Sequence, residues 1–195
     1  MVNTRAKVLS DLWFRADDFP EIIARDFLLS FAFSVFIALC SQIAFPLPFS
    51  PVPITGQTFA VILTGLVLGR NRALAALLMY VFEGALGLPV FAPGGAIGIA
   101  RLFGPTGGYI IGFIVAAFFL GYMAERGWDR SFFKTMIIIL GAFAIIYSLG
   151  IFRLSFFLPQ NKLLIAGFYP FIPGEIIKTT LVSLALPIAW EMIKD

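Results

Sequence analysis

Glu175 and Lys178 stand three positions apart inside an apolar stretch that opens with Pro173-Gly174. On a helix that spacing puts both charges on one face. A charged side chain at the centre of a bilayer costs roughly 2.5–3.5 kcal/mol on insertion scales, so such residues turn toward a bundle interior or a polar cavity. An acid and a base buried together therefore suggest a pocket for a polar solute. The plainer alternative is a structural ion pair between helices, or two side chains reaching to the interface. Glu83, in another apolar stretch, must likewise be paired, neutral or near water, and is a candidate third polar group of the site. Gln57 suits a hydrogen bond to a ligand head group, or the packing of one helix on another.

The elements that position these residues follow from composition. Hydrophobic residues make up 60% of the 195 and charged residues 13%, against about 45–50% and 25% in soluble domains. The chain reads as an all-α integral membrane protein. It forms a single domain over residues 1–195, with 1–25 as a cytoplasmic N-terminal segment and 26–195 as the bundle. Six apolar spans are expected near 27–45, 54–69, 73–88, 109–123, 133–152 and 172–193. The first reads as a retained helix rather than a signal peptide. The second and third are short for a hydrocarbon core about 30 Å thick. Residues 46–53, with four prolines, and 88–108, crowded with Gly and Pro, read as loops lining one end of the bundle, since irregular backbone at membrane depth must be buried or face water.

Orientation follows from the cations. Arg5, Lys7, Arg15, Arg25, Arg70, Arg72, Arg126, Arg130, Lys134 and Lys194 fall on one side of a six-span bundle, and Arg101, Arg153, Lys162 and Lys178 account for the rest of the fourteen. The positive-inside rule then makes the protein multi-pass in the cell membrane, with both termini cytoplasmic and the proline loop, the glycine loop and Glu175 on the outer side. No basic run tracks a nucleic acid. Cys40, the single cysteine, reads as a small core residue.

Catalysis finds no support. Histidine is absent, which removes Ser-His-Asp and Cys-His pairs and the commonest zinc sites. Neither a G-x-x-x-x-G-K-[ST] loop nor a G-x-G-x-x-G turn occurs, so the chain holds no P-loop, and uphill transport would need an ion gradient or another subunit. No enzyme activity and no cofactor are expected.

Four motifs carry a resemblance. Pro51-Val52-Pro53-Ile54-Thr55-Gly56-Gln57-Thr58-Phe59, Gly84-Ala85-Leu86-Gly87-Leu88-Pro89-Val90-Phe91, Gly104-Pro105-Thr106-Gly107-Gly108-Tyr109 and Phe171-Ile172-Pro173-Gly174-Glu175-Ile176-Ile177-Lys178 resemble, in order, the signature of the BioY family. These are biotin-specific S components of energy-coupling factor (ECF) transporters. The resemblance implies a six-helix membrane protein that captures biotin from the extracytoplasmic side and docks on a transmembrane coupling protein driven by cytoplasmic ATPase subunits. It places the family's acid on Glu175 and its base on Lys178. A carboxylate suits the two N–H donors of a ureido ring, and an ammonium suits either the ureido carbonyl or the valerate carboxylate. Where some relatives carry a basic residue after the G-G-Y tyrosine, this chain has Ile110, and Arg101 upstream is the candidate replacement or else a solvated loop cation. Tyr109 and Phe91 are candidates for the pocket wall. On the first span, Ser34 and Ala38, with Ala44 further along, form a small-residue face expected to dock the coupling protein, with packing inside the bundle as the alternative. The rival reading is an S component or stand-alone carrier for another small vitamin.

Overall fold

The computed structural model describes residues 8–14 and 18–192; the cations Arg5, Lys7, Arg15 and Lys194 lie outside them. The chain runs α1 (Ser10–Trp13), α2 (Phe19–Gln42), β1 (Ala44–Leu47), β2 (Ser50–Thr55), α3 (Gln57–Leu68), α4 (Arg70–Ala85), α5 (Ala100–Phe103), α6 (Gly107–Ala124), α7 (Phe132–Leu154), α8 (Gln160–Gly167) and α9 (Ile172–Met192). Short 3-10 turns stand at Trp128–Arg130 and Tyr169–Phe171.

Helices dominate because long apolar runs must satisfy their backbone internally. Four stretches are both long and apolar enough to cross a bilayer: Phe19–Gln42, Gly107–Ala124, Phe132–Leu154 and Gln160–Met192. Of the six expected spans, the second and third fall short of that standard. Twelve residues in α3 and sixteen in α4 rise about 18 and 24 Å at 1.5 Å per residue. Helix α2 begins well before the expected edge at 27. Asp18 has an extended backbone, Pro20 occupies the first turn and Glu21 follows it, all favourable at a helix start. Hydropathy alone sees only the apolar part that comes after.

One expectation is corrected here. Residues 46–53 are not an irregular loop: β1 and β2 pair antiparallel as a hairpin, with Ala44 opposite Thr55, Phe45 opposite Ile54 and an irregularity before Leu47 pairs with Ser50. A two-stranded ribbon leaves each strand one unpaired edge, and proline, lacking an N–H, is tolerated on such edges. Ala44 therefore belongs to β1 and not to the face of α2.

Helix α3 is the central post, touching α2, α4, α6 and α9, and its Ala60, Val61, Ile62 and Leu66 are fully buried. Around it, α6 and α7 approach almost backbone to backbone. A Cβ at Gly112 would lie 2.9 Å from Cα of Ile146, so any side chain there would push the helices apart. The hairpin meets α8, where Ser50 donates to the Ala166 carbonyl at 2.7 Å. The hairpin, α5, α8 and the start of α9 thus gather at one end. The other end holds α1, the Gly69 turn and the turn at Trp128–Arg130.

Candidate functional site

At the hairpin end a narrow cavity of about 50 Å³ opens among β2, α3, α5, α6, α7 and α9. Glu175 enters it from the first turn of α9 and is 7% exposed. Thr58, one residue into α3, donates to its Oε1 at 2.9 Å, and the Tyr147 hydroxyl on α7 donates to the same oxygen at 3.2 Å. One turn further along α9, Lys178 Nζ donates to Thr58 Oγ1 at 2.7 Å, to the Thr55 carbonyl at 3.1 Å and to Glu175 Oε1 at 3.3 Å. The Thr58 hydroxyl thus takes a hydrogen from the ammonium and gives one to the carboxylate. Three helices and the hairpin meet in this network, and the i, i+3 spacing does bring acid and base together.

Arg101 projects from α5 and is 6% exposed. Its Nη2 donates to the Ala92 carbonyl at 2.9 Å, while Nε is buried without a hydrogen-bond partner among the described residues. Gly95 makes room for the guanidinium, since a Cβ at that position would collide with it. Burial pushes the Arg101 pKa below its ordinary value, with the nearby Tyr80 acting the other way. Arginine stays charged even so. The cavity wall therefore holds a cation with unspent donor capacity. A buried polar atom in that condition costs free energy until something fills it.

The other expected residues divide. Gln57 lines the cavity, with its amide nitrogen donating to the Tyr80 hydroxyl at 2.6 Å. Tyr109 presents its ring, and its hydroxyl donates to the Gly167 carbonyl at 2.8 Å. Phe91 lines the opening and packs edge-on against Tyr80, ring centres 5.4 Å apart. Ile110 contributes apolar wall. Glu83 is a correction: α4 turns it away from the cavity, and its Oε1 accepts from Ser34 Oγ on α2 at 3.0 Å. Ser34, fully buried, spends its hydroxyl on that contact and on the Phe31 carbonyl, and Ala38 is half-buried against the core. The Ser34–Ala38 face is thus turned into the bundle rather than outward.

Thr58, Thr55 and Tyr147 went unrecognised as site residues. Thr58 sits in the motif after Gln57, where its distance from Glu175 in sequence hid their contact. Tyr147 has no sequence signal, being one aromatic in an apolar helix.

Lys178 does not line the cavity but stands behind Thr58 and Glu175, to both of which it donates. Chemically, the cavity wall offers the Glu175 carboxylate and, separately, the Arg101 guanidinium. The walls between them are aromatic and aliphatic: Phe113, Ile146 and Phe171. That set fits an amphipathic ligand with a net negative charge.

The profile of the BioY family matches residues 7–195. "Biotin transporter BioY" of Thermotoga maritima is 41% identical over 78% of this chain and 88% of its own length. "Probable biotin transporter BioY" of Pyrococcus horikoshii is 43% identical over 74% and 85%. Among solved structures, the S component for biotin from an ECF-type ABC transporter aligns with a TM-score of 0.77 and 27% identity, over 92% of this chain and 96% of that one. The chain belongs to the BioY family.

Proposed function

We propose that the protein is the biotin-binding S component of an ECF transporter, and that biotin occupies the cavity at the hairpin end. Family membership supports the transport role. The observation that carries the site is Arg101: a buried guanidinium with an unsatisfied nitrogen faces the same cavity as the Glu175–Thr58–Lys178 network. Biotin has a neutral ureido head and a carboxylate tail. Glu175 accepts from the ureido N–H groups, Lys178 and Thr58 attend the ureido carbonyl, and Arg101 pairs with the valerate carboxylate. Gln57, Tyr109 and Phe91 shape the wall between the two ends. No residue does covalent chemistry, so the part is capture and release.

Energy for uptake comes from a separate transmembrane coupling protein and ATPase subunits, a division supported by the lack of a P-loop in this chain. All six helices of twelve residues or more cross or enter the bilayer, α3 and α4 with their ends below its surface. The cavity faces outward and both termini lie inside, as the cation count suggests. In a Cys40→Ser background, a cysteine at Ala96 should react with an impermeant thiol reagent from outside and one at Asn71 should not; the reverse pattern would refute the orientation. The function itself is tested by tritiated-biotin binding to the purified chain and by uptake in cells with and without the coupling subunits. Saturable binding by the chain alone is expected, and its absence would defeat the proposal.

A further inference from the structure

Residues 86–99, between α4 and α5, hold no helix or strand, yet Phe91 and Ala92 among them form part of the cavity wall. Irregular backbone in such a place must find partners for its carbonyls. Those of residues 89–92, four in succession, accept from no backbone N–H among the described residues. Side chains serve them instead. On one side stands the C-terminal end of α2. Gln42 Nε2 lies 3.1 Å from the Pro89 oxygen and 3.3 Å from that of Phe91, and the fully buried Ser41 hydroxyl reaches the Val90 oxygen as well as the Ala38 carbonyl of its own helix. Gln42 Nε2 also approaches Ser41 Oγ at 2.7 Å, so its two hydrogens are shared within one cluster. On the other side Arg101 takes the Ala92 oxygen.

This strap also covers Arg101. The guanidinium lies under Gly95, where a Cβ would collide with it, and it stays buried although residues 93–97 above it are exposed. Those five residues make no backbone–backbone hydrogen bond among the described residues. Apart from the packing of Phe91 on Tyr80, the strap is therefore held by the α2 cluster and by Arg101 itself. A loosened strap would leave the guanidinium wetter and freer to change rotamer, and a charge pair is worth less when it is solvated and unordered.

We infer that Gln42 and Ser41 are positioning residues: from the end of α2 they fix the strap, and through Ala92 and Gly95 the strap keeps Arg101 dry and facing the ligand's carboxylate. This rests on the assignment of Arg101 to that carboxylate.

The test titrates biotin and its carboxamide into the purified wild-type chain, Gln42→Met, Ser41→Ala and the double variant. Methionine keeps the length of Gln42 and loses its donors. Each single variant should cut the preference for biotin over the amide by roughly 3- to 10-fold while leaving affinity for the amide almost unchanged. In a Cys40→Ser background, Ala92→Cys should react with a thiol reagent several-fold faster once Gln42→Met is added. Full preference in the double variant overturns the inference. So does an equal loss for both ligands, which would make the cluster merely structural. Should the double variant fail to fold, Gln42→Met decides alone, since that side chain is exposed. Arg101→Gln separates the two readings. If it keeps the preference, the assignment of Arg101 is wrong and the inference falls with it; if it loses the preference while the α2 variants keep theirs, only the inference fails.

Discussion

The two ends of the molecule treat charge in opposite ways. At the Gly69 end the charges close on one another. Arg72 binds Asp11 at 2.8 Å, Asp26 at 2.7 Å and the Ser10 hydroxyl at 3.0 Å, tying α1 and α2 to α4. Glu125 accepts the Arg70 backbone N–H at 2.9 Å, and Asp129 accepts the Trp190 indole N–H at 2.6 Å. At the hairpin end Arg101 is buried with a nitrogen to spare, and the Glu175–Lys178 pair stands at the edge of a cavity. Most charges that hold helices together are paired within the chain, although Asp129 Oδ1 is buried without a partner among the described residues; unspent capacity on a cavity wall, as at Arg101, is what points to a ligand.

That contrast can be broken from either side. The largest effect belongs to the cavity end: Lys178→Ala or Glu175→Ala should each weaken biotin binding by roughly 2–5 kcal/mol, the range for truncating one partner of a buried charged contact. Calorimetry on folded protein checks it, and wild-type affinity in both variants would make the pair structural. At the other end, Arg72→Ala should leave affinity unchanged and cost only about 0.5–1.5 kcal/mol of stability, since Asp26 keeps Arg25 at 2.8 Å and both carboxylates are partly exposed, read by unfolding in detergent.

Two further effects sharpen the comparison. Tyr147→Phe keeps the ring and removes one donor to Glu175, so affinity should fall by about 0.5–1.5 kcal/mol, measured by the same titration. Asp129 tests the closed end by pH. Burial pushes its carboxyl up to about 6, with the Trp190 hydrogen bond and Arg130 acting in the opposite direction. The folded chain therefore holds this proton more tightly than the unfolded chain, and the contribution to stability is fully present below about pH 4 and lost as pH rises through about 6. Asp129→Asn keeps an acceptor for Trp190 and has no proton to lose, so its thermal midpoint should show less fall over that window. An identical slope in both proteins would place the titration elsewhere.

The sequence made the charged pair legible because α-helical periodicity is a local property: Glu175 and Lys178 share a face wherever α9 packs. The apolar runs were legible for the same reason. What depended on the rotation of one helix against another was not. Glu83 and Ser34 read as a ligand contact and a docking face, yet α4 and α2 turn them toward each other, and a stripe of small residues looks the same whichever way it faces. The four prolines of residues 46–53 advertised a loop, but Pro48 stands in the hairpin turn and a ribbon's free edges accept the other three. Tyr147 carried no pattern at all, since its partner stands 28 positions away.

The central claim is that Arg101 awaits a carboxylate. Calorimetric titration of biotin and of its carboxamide into the wild-type chain and Arg101→Gln tests it most directly. The wild-type chain should prefer biotin over the amide by roughly 2–5 kcal/mol, and the variant should lose most of that preference by weakening for biotin alone. A variant that kept the full preference would contradict the account and assign the carboxylate to Lys178.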